Sequence, residues 1–346
     1  MKTISICPMI KRTLILLGVM AVLTVFTPAA AETASAPTVV IKIATLAPSG
    51  SPYHEIMQEM AAGWREQSDN RVELRIYPGG VAGDEVDILR KIRIGQIDAG
   101  ALSLSGLSRT LPEISVLGTP MIYKTRQSLL QVQDALDSKI EERMEKRGFV
   151  VLSWAIAGWV RFFVPEAEPS IAGLKKARMH VFAGDDQIME LWKTMGFNAI
   201  ALPGTDVLPG LQSGMVNAFF TTPVMAYASQ WFAFTPYMID MPWAPMIGAI
   251  VVSKRGWEKV PEQLRPKLKA IAEEKSLLLD QEMQRLESEA ISEMQKRGLT
   301  VVKPDAQQLE QWHSLTKIAY PQFKSKNNIP DEWFETALSV TQKKGS

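Results

Sequence analysis

Arg161 is the side chain of this sequence best suited to hold an anion. It stands in an apolar run, Trp159-Val160-Arg161-Phe162-Phe163-Val164. A guanidinium there offers a planar fork that grips a carboxylate through two charge-assisted hydrogen bonds. The same arginine could instead pair with a glutamate of the protein, and the sequence leaves both open. Residues for catalysis are harder to find. There is no HExxH, no GxSxG and no Cys/His cluster. His54, His180 and His313 are far apart, and Asp185-Asp186 and Glu273-Glu274 read as solvated faces. The residue types point to binding rather than catalysis, with no cofactor and no metal expected.

The elements that must position Arg161 and its surroundings follow from periodicity. Between residues 158 and 223 three short apolar runs alternate with two helical patterns, the rhythm of βαβ units. The strands are expected at Met179–Phe182, Ala199–Leu202 and 216–221, the helices at 187–195 and 206–213. Such units bind small ligands at the carboxyl ends of their strands, where helix N-termini also offer free N–H groups.

Before that stretch, Val39–Thr45 reads as a strand, Pro52–Gln67 as a helix and Val72–Tyr77 as an alternating strand, a right-handed βαβ unit. Residues 84–94 are amphipathic, 101–107 are small and Ser-rich, 128–146 form a long helix ended by Gly148, and 149–154 the next strand. The small residues 155–158 suit a crossover between two lobes. After it, 248–253 reads as a return strand. Residues 261–297 carry one long helical pattern, about 50 Å if unbroken; a break into two helices is the alternative. A last strand is expected at 300–303, with terminal helices at 306–320 and 331–341.

Residues 1–31 read as an export signal. Lys2, Lys11 and Arg12 precede an apolar run at 13–26, and Ala29-Ala30-Ala31 offers a cleavage site before Glu32. The lone Cys7 would leave with it, so the exported chain would have no disulfide or thiol chemistry. The remaining charge, 35 basic against 37 acidic residues, is no footprint for nucleic acid or an anionic membrane.

Several motifs, in order, carry a family resemblance. Tyr77-Pro78-Gly79-Gly80-Val81-Ala82-Gly83 resembles "YP-x-G-x-L-G", and Gly95-Gln96-Ile97-Asp98 resembles "G-x-I-D". Gly158-Trp159-Val160-Arg161 resembles "G-x-R", and Gly173-Leu174-Lys175 with Arg178-Met179-His180-Val181 resembles "GLK-KIRV". Pro203-Gly204-Thr205-Asp206, Leu211-Gln212-Ser213-Gly214 and Val216-Asn217 resemble "P-x-x-E-x-x-x-A-L-Q-x-G-x-V-D-G". The chain thus resembles the solute-binding proteins of tripartite ATP-independent periplasmic (TRAP) transporters, DctP type. The resemblance implies an α/β, two-lobed periplasmic binding protein fold with hinge strands and a long helix crossing both lobes. Lobe I is expected at 32–157 and 246–280, and lobe II at 158–245 and 281–346. It also implies periplasmic capture of a small organic acid and docking on TRAP membrane permease subunits.

The site implied by the resemblance lies between the lobes. Arg161 leads it, with Tyr53 in the loop after the first strand. The anchoring arginine of "KIRV" is replaced by His180, so either Arg178, two residues earlier, takes over the grip or the anchor is weaker and pH-dependent. The polar end of the third strand is replaced by Phe219-Phe220-Thr221. With Trp159 and Phe182 these aromatics favour a ligand with an apolar or aromatic body over a C4-dicarboxylate. The rival readings are the binding protein of an ATP-driven importer and a stand-alone lipid- or sensor-feeding binding protein.

Overall fold

The computed structural model describes residues 39–342, so the expected export signal, its cleavage point and Cys7 lie outside the described residues. The chain opens with β1 (Val39–Thr45), α1 (Pro52–Gln67), β2 (Val72–Tyr77), α2 (Glu85–Ile94), β3 (Ala99–Ser103), α3 (Leu104–Ser108), α4 (Arg126–Lys146) and β4 (Phe149–Trp159). It continues with β5 (Arg161–Val164), α5 (Ile171–Lys176), β6 (Met179–Phe182), α6 (Asp186–Thr194), β7 (Ala199–Leu202), α7 (Val207–Gln212), β8 (Phe219–Thr221), α8 (Pro223–Ala228) and β9 (Tyr237–Ile239). It returns through β10 (Pro245–Ser253), α9 (Lys254–Glu258), α10 (Arg265–Lys296), β11 (Thr300–Val302), α11 (Ala306–Lys326) and α12 (Asp331–Gln342).

Lobe I is built on a five-stranded sheet in the order β2-β1-β3-β10-β4. β1, β2 and β3 run parallel, while β10 is antiparallel to both β3 and β4. α1 starts where Ser51 accepts a hydrogen bond from the His54 backbone N–H and Pro52 fills the first turn. Its buried face, Met57, Met60 and Trp64, has the three- and four-residue spacing of one helical stripe. β4 runs five residues beyond its expected end at Trp154. Ala155 and Ile156 pair with Gly248 and Ile247 of β10, and after a register shift at Ala157-Gly158 Trp159 pairs with Pro245, because a neighbouring strand is available there to take their backbone groups. Gly248 is held to glycine by closeness: a Cβ would stand 2.7 Å from the Leu102 carbonyl oxygen.

Lobe II holds a four-stranded sheet, β11-β9-β5-β8, and the parallel pair β6-β7, with a single parallel bridge from Met179 to Ala218, the residue before β8. Its core is aromatic. Phe162 stacks on Trp312, Trp192 on Trp243, and Phe197 on Trp312, with ring centroids 5.4–5.7 Å apart.

Two chain crossings join the lobes and bond to each other: Val160 N–H donates to Ala244 O at 2.9 Å, and Trp243 N–H to Val160 O at 3.0 Å. The third link is α10, one unbroken 32-residue helix. Its first half is tied to lobe I, where the Trp64 indole donates to Leu268 O. Its far end reaches lobe II, where Arg297 donates to Tyr227. The C-terminal segment departs from the expected boundary. α11 packs its Trp312 into lobe II, but α12 returns to lobe I. Lys139 there pairs with Glu332 at 3.1 Å and Arg143 lies 4.8 Å over the Trp333 ring. Among the described residues no helix is long and apolar enough to cross a membrane.

Candidate functional site

A cavity of about 280 Å³ lies between lobe I, the crossings and α8. The carboxyl ends of β1 and β3 supply Thr45 and Ser103, the place where open α/β sheets bind ligands. α1 supplies Tyr53, Ile56, Met57 and Met60. The crossing strands add Ala155, Ala157 and Met246, α10 adds Lys275 and Leu279, and α8 adds Met225 from the other lobe. The wall is dominated by aliphatic and thioether groups, which adapt their shape to an apolar body. Among the described residues that line it, Lys275 is the one cation and Glu85 the one carboxylate. Glu85 is already committed: its two oxygens accept from the Ser103 backbone N–H and hydroxyl, both at 2.6 Å. Lys275 reaches Glu59 at 3.1 Å, near the surface. Burial pushes the Tyr53 phenol up to about 12, so it stays a neutral donor.

Arg161 opens β5 directly after the crossover and is buried. Its Nε lies 3.3 Å from Asp240 Oδ1 and its Nη2 3.3 Å from Glu287 Oε1. The remaining nitrogen, Nη1, is buried with no hydrogen-bond partner among the described residues. The pairing that the sequence left open is therefore made, and with two carboxylates. Burial raises the Glu287 carboxyl above its ordinary value, against the lowering effect of Arg161. Arg161 is not part of the cavity wall described above.

The other expected residues separate. Tyr53 lines the cavity. Trp159 ends β4 half-buried, one residue from the crossing peptide, and Thr221 is buried opposite Arg161 in the β5-β8 register. Phe182 is 39% exposed, edge-on to His180. Phe220 packs against Phe162 and Trp192. Phe219 is fully buried and stacks on Phe163 at 4.8 Å, a core position that corrects its expected place at the cleft. Arg178 precedes β6 and is exposed, its Nε donating to Gly214 O at 2.9 Å. That is the amino end of the strand, opposite to the end at which such sheets bind ligands.

His180 also differs from expectation. It is 1% exposed, with its Nε2 3.3 Å from Leu202 O and its ring edge-on to Phe182 and Trp231. Burial lowers its pKa to about 4, so the ring is neutral near pH 7 and serves packing rather than a pH-dependent carboxylate grip. The unfolded chain, with an ordinary value of 6.5, then takes up the proton first. Stability is full above pH 6.5 and falls as pH drops toward 4, by roughly 3 kcal/mol in total. His180→Gln, which can still donate to Leu202, is expected to flatten this part of the denaturation profile between pH 7 and 4.5. Parallel profiles for the two proteins would show that the histidine is not held neutral.

Other residues at the site carried no sequence signal. Lys275 and Leu279 sit in a long helix whose charges alternate throughout, and Met225 and Met246 are unremarkable in their segments. Contacts across the two lobes were likewise hidden. Arg109, after α3, donates to Gly184 O at 2.5 Å, and the Ser115 hydroxyl donates to Gln187 at 3.2 Å.

Comparison with known proteins agrees with this geometry. The model of the bacterial extracellular solute-binding proteins, family 7 (DctP), matches residues 43–327. A solute-binding protein of Chromohalobacter salexigens is 21% identical over 238 residues, which is 66% of this chain and 68% of the relative. A TRAP periplasmic solute-binding protein from Roseobacter denitrificans with bound β-D-glucuronate superposes with a TM-score of 0.79. It has 16% identity and covers 87% of this chain and 99% of that one. One from Desulfovibrio salexigens with bound orotic acid gives 0.77 at 17% identity, covering 88% and 97%. These relatives are solute-binding proteins, and the family is one of binding proteins rather than enzymes. The chain belongs to the bacterial extracellular solute-binding protein family 7, the DctP-type solute-binding proteins of TRAP transporters.

Proposed function

We propose that this protein, exported and cleaved before Glu32, captures a small organic acid with an apolar or aromatic body in the cavity between its lobes. It then delivers the acid to the membrane permease subunits of a TRAP transporter. The observation that carries the ligand reading is the wall itself: Ile56, Met57, Met60, Met225, Met246 and Leu279 around one phenol and one lysine. An acid sugar such as the glucuronate held by the Roseobacter protein has several hydroxyls. Each would lose its water partners against methyl and thioether groups, a cost of about 1–3 kcal/mol per unmet group. The orotic acid held by the Desulfovibrio protein is built on a flat ring without hydroxyl groups, and the faces of such a ring suit this wall better.

In this reading closure of the lobes brings the acid end to the crossover, where Arg161 Nη1 has no other partner among the described residues, with Trp159, Thr221 and Phe182 on the lobe II side. Asp240 and Glu287 outnumber Arg161 by one charge. A dianion is therefore repelled more strongly than a monocarboxylate. Contacts from both lobes favour the closed form when ligand is present. The test is the small molecule that leaves with the protein. Mass spectrometry of material released by denaturing periplasmic protein is expected to find one monocarboxylic acid with a ring or branched hydrocarbon part. A released C4-dicarboxylate or hexuronate would contradict this reading.

A further inference from the structure

A second cavity, of about 250 Å³, lies on lobe I between α4, β4 and α10. β4 forms a partition between the two spaces. Side chains alternate along a strand, and Trp154 and Ile156 line this cavity while Ala155 and Ala157 line the first. Five carboxylates and two bases border the second cavity. Arg126 is bound to Asp280, and Lys269 to Glu141 at 2.6 Å, with Glu273 at 3.9 Å. Asp134 and Asp137 have no ion-pair partner among the described residues. They stand on one stripe of α4 with Glu141, at spacings of three and four, where like charges repel. Burial and the neighbouring Glu141 push the Asp137 carboxyl up from its ordinary 3.8.

An independent feature points the same way. Gln133 is 9% exposed and lines this cavity, and its Oε1 is buried with no hydrogen-bond partner among the described residues. A buried acceptor without a donor costs about 1–3 kcal/mol. An N–H group in the cavity would satisfy it. Among the described residues no cluster of His, Cys, Asp and Glu could hold a metal ion, so a cation here is better matched by an ammonium group. Leu130, Leu277 and the Trp154 ring offer apolar surface for a short methylene body.

We propose that this cavity is a second binding site, for a small aliphatic diamine, with its ammonium groups on Asp134 and Asp137 and an N–H donated to Gln133 Oε1. The probe is 1,4-diaminobutane, titrated calorimetrically into the whole exported protein near pH 7, with sodium chloride of equal ionic strength as control. Saturable binding is expected, weakened about tenfold or more in Asp134→Asn/Asp137→Asn by loss of the charged hydrogen bonds. The same variant, without diamine, should melt at a higher temperature than the parent, because the repulsion on α4 is gone. Gln133→Leu should also weaken the diamine by about tenfold while leaving the charges in place. No saturable heat, or equal diamine affinity in the parent, the Asn variant and Gln133→Leu, would overturn the proposal.

Discussion

Arg161→Ala is expected to lower folding stability by about 3 kcal/mol, toward the lower end for a broken buried ion pair. The substitution removes the cation that Asp240 and Glu287 share and leaves two carboxylates without it at the crossover. Glu287 is well buried and bears most of that cost, whereas Asp240 is one-third exposed and water relieves it in part. Arg161→Lys keeps the charge but not the fork, so it should fall between the two proteins. The combined change Arg161→Met, Glu287→Leu, Asp240→Asn should recover most of the stability, because a buried pair replaced by apolar groups of similar size is often neutral. That folded combination separates the two roles of Arg161. It should still unfold cooperatively in denaturant but bind organic acids at least tenfold more weakly, for want of the Nη1 donor. A stability loss under about 1 kcal/mol for Arg161→Ala, the range of an exposed pair, would remove the arginine from its structural role. Undiminished acid binding by the combined variant would remove it from the ligand.

Much of the fold was legible because most of its elements are held by local pattern. β1, α1 and β2 fall where alternation and helical spacing put them, and Ser51 with Pro52 marks the start of α1 to the residue. The long pattern after Pro261 becomes α10, since no glycine interrupts it and its proline, Pro266, lies in its first turn. Elements defined by distant partners were not legible. β9 is three residues long and follows Pro236, so it reads as loop, yet it pairs with both β5 and β11. The end of β4 depends on β10, some ninety residues later, and the return of α12 to lobe I depends on α4.

The site was less legible than the fold for the same reason. Arg161 was visible as a cation in an apolar run, but its partners are 79 and 126 positions away. His180 looked like a weakened anchor because its burial depends on Leu202 and Trp231, which only the folded lobe brings together. The lobe I wall of the cavity is assembled from α1, the ends of β1 and β3, β10 and α10. No single stretch shows that their side chains form one apolar surface.

Ligand choice is where the second large effect is expected. Burying a phenyl ring against the methionine and leucine wall contributes roughly 2–3 kcal/mol. A second carboxylate placed near Asp240 and Glu287 loses about 1 kcal/mol more at the dielectric of a partly solvated cleft. Together these amount to about 3–4 kcal/mol, a preference of about a hundredfold or more in affinity. The direct measurement is a calorimetric comparison, at one pH and salt concentration, of phenylacetate with succinate. Phenylacetate is expected to bind about a hundredfold more tightly or better. Succinate binding as tightly as phenylacetate, or more so, would contradict an apolar-bodied monocarboxylate as the ligand of this cleft.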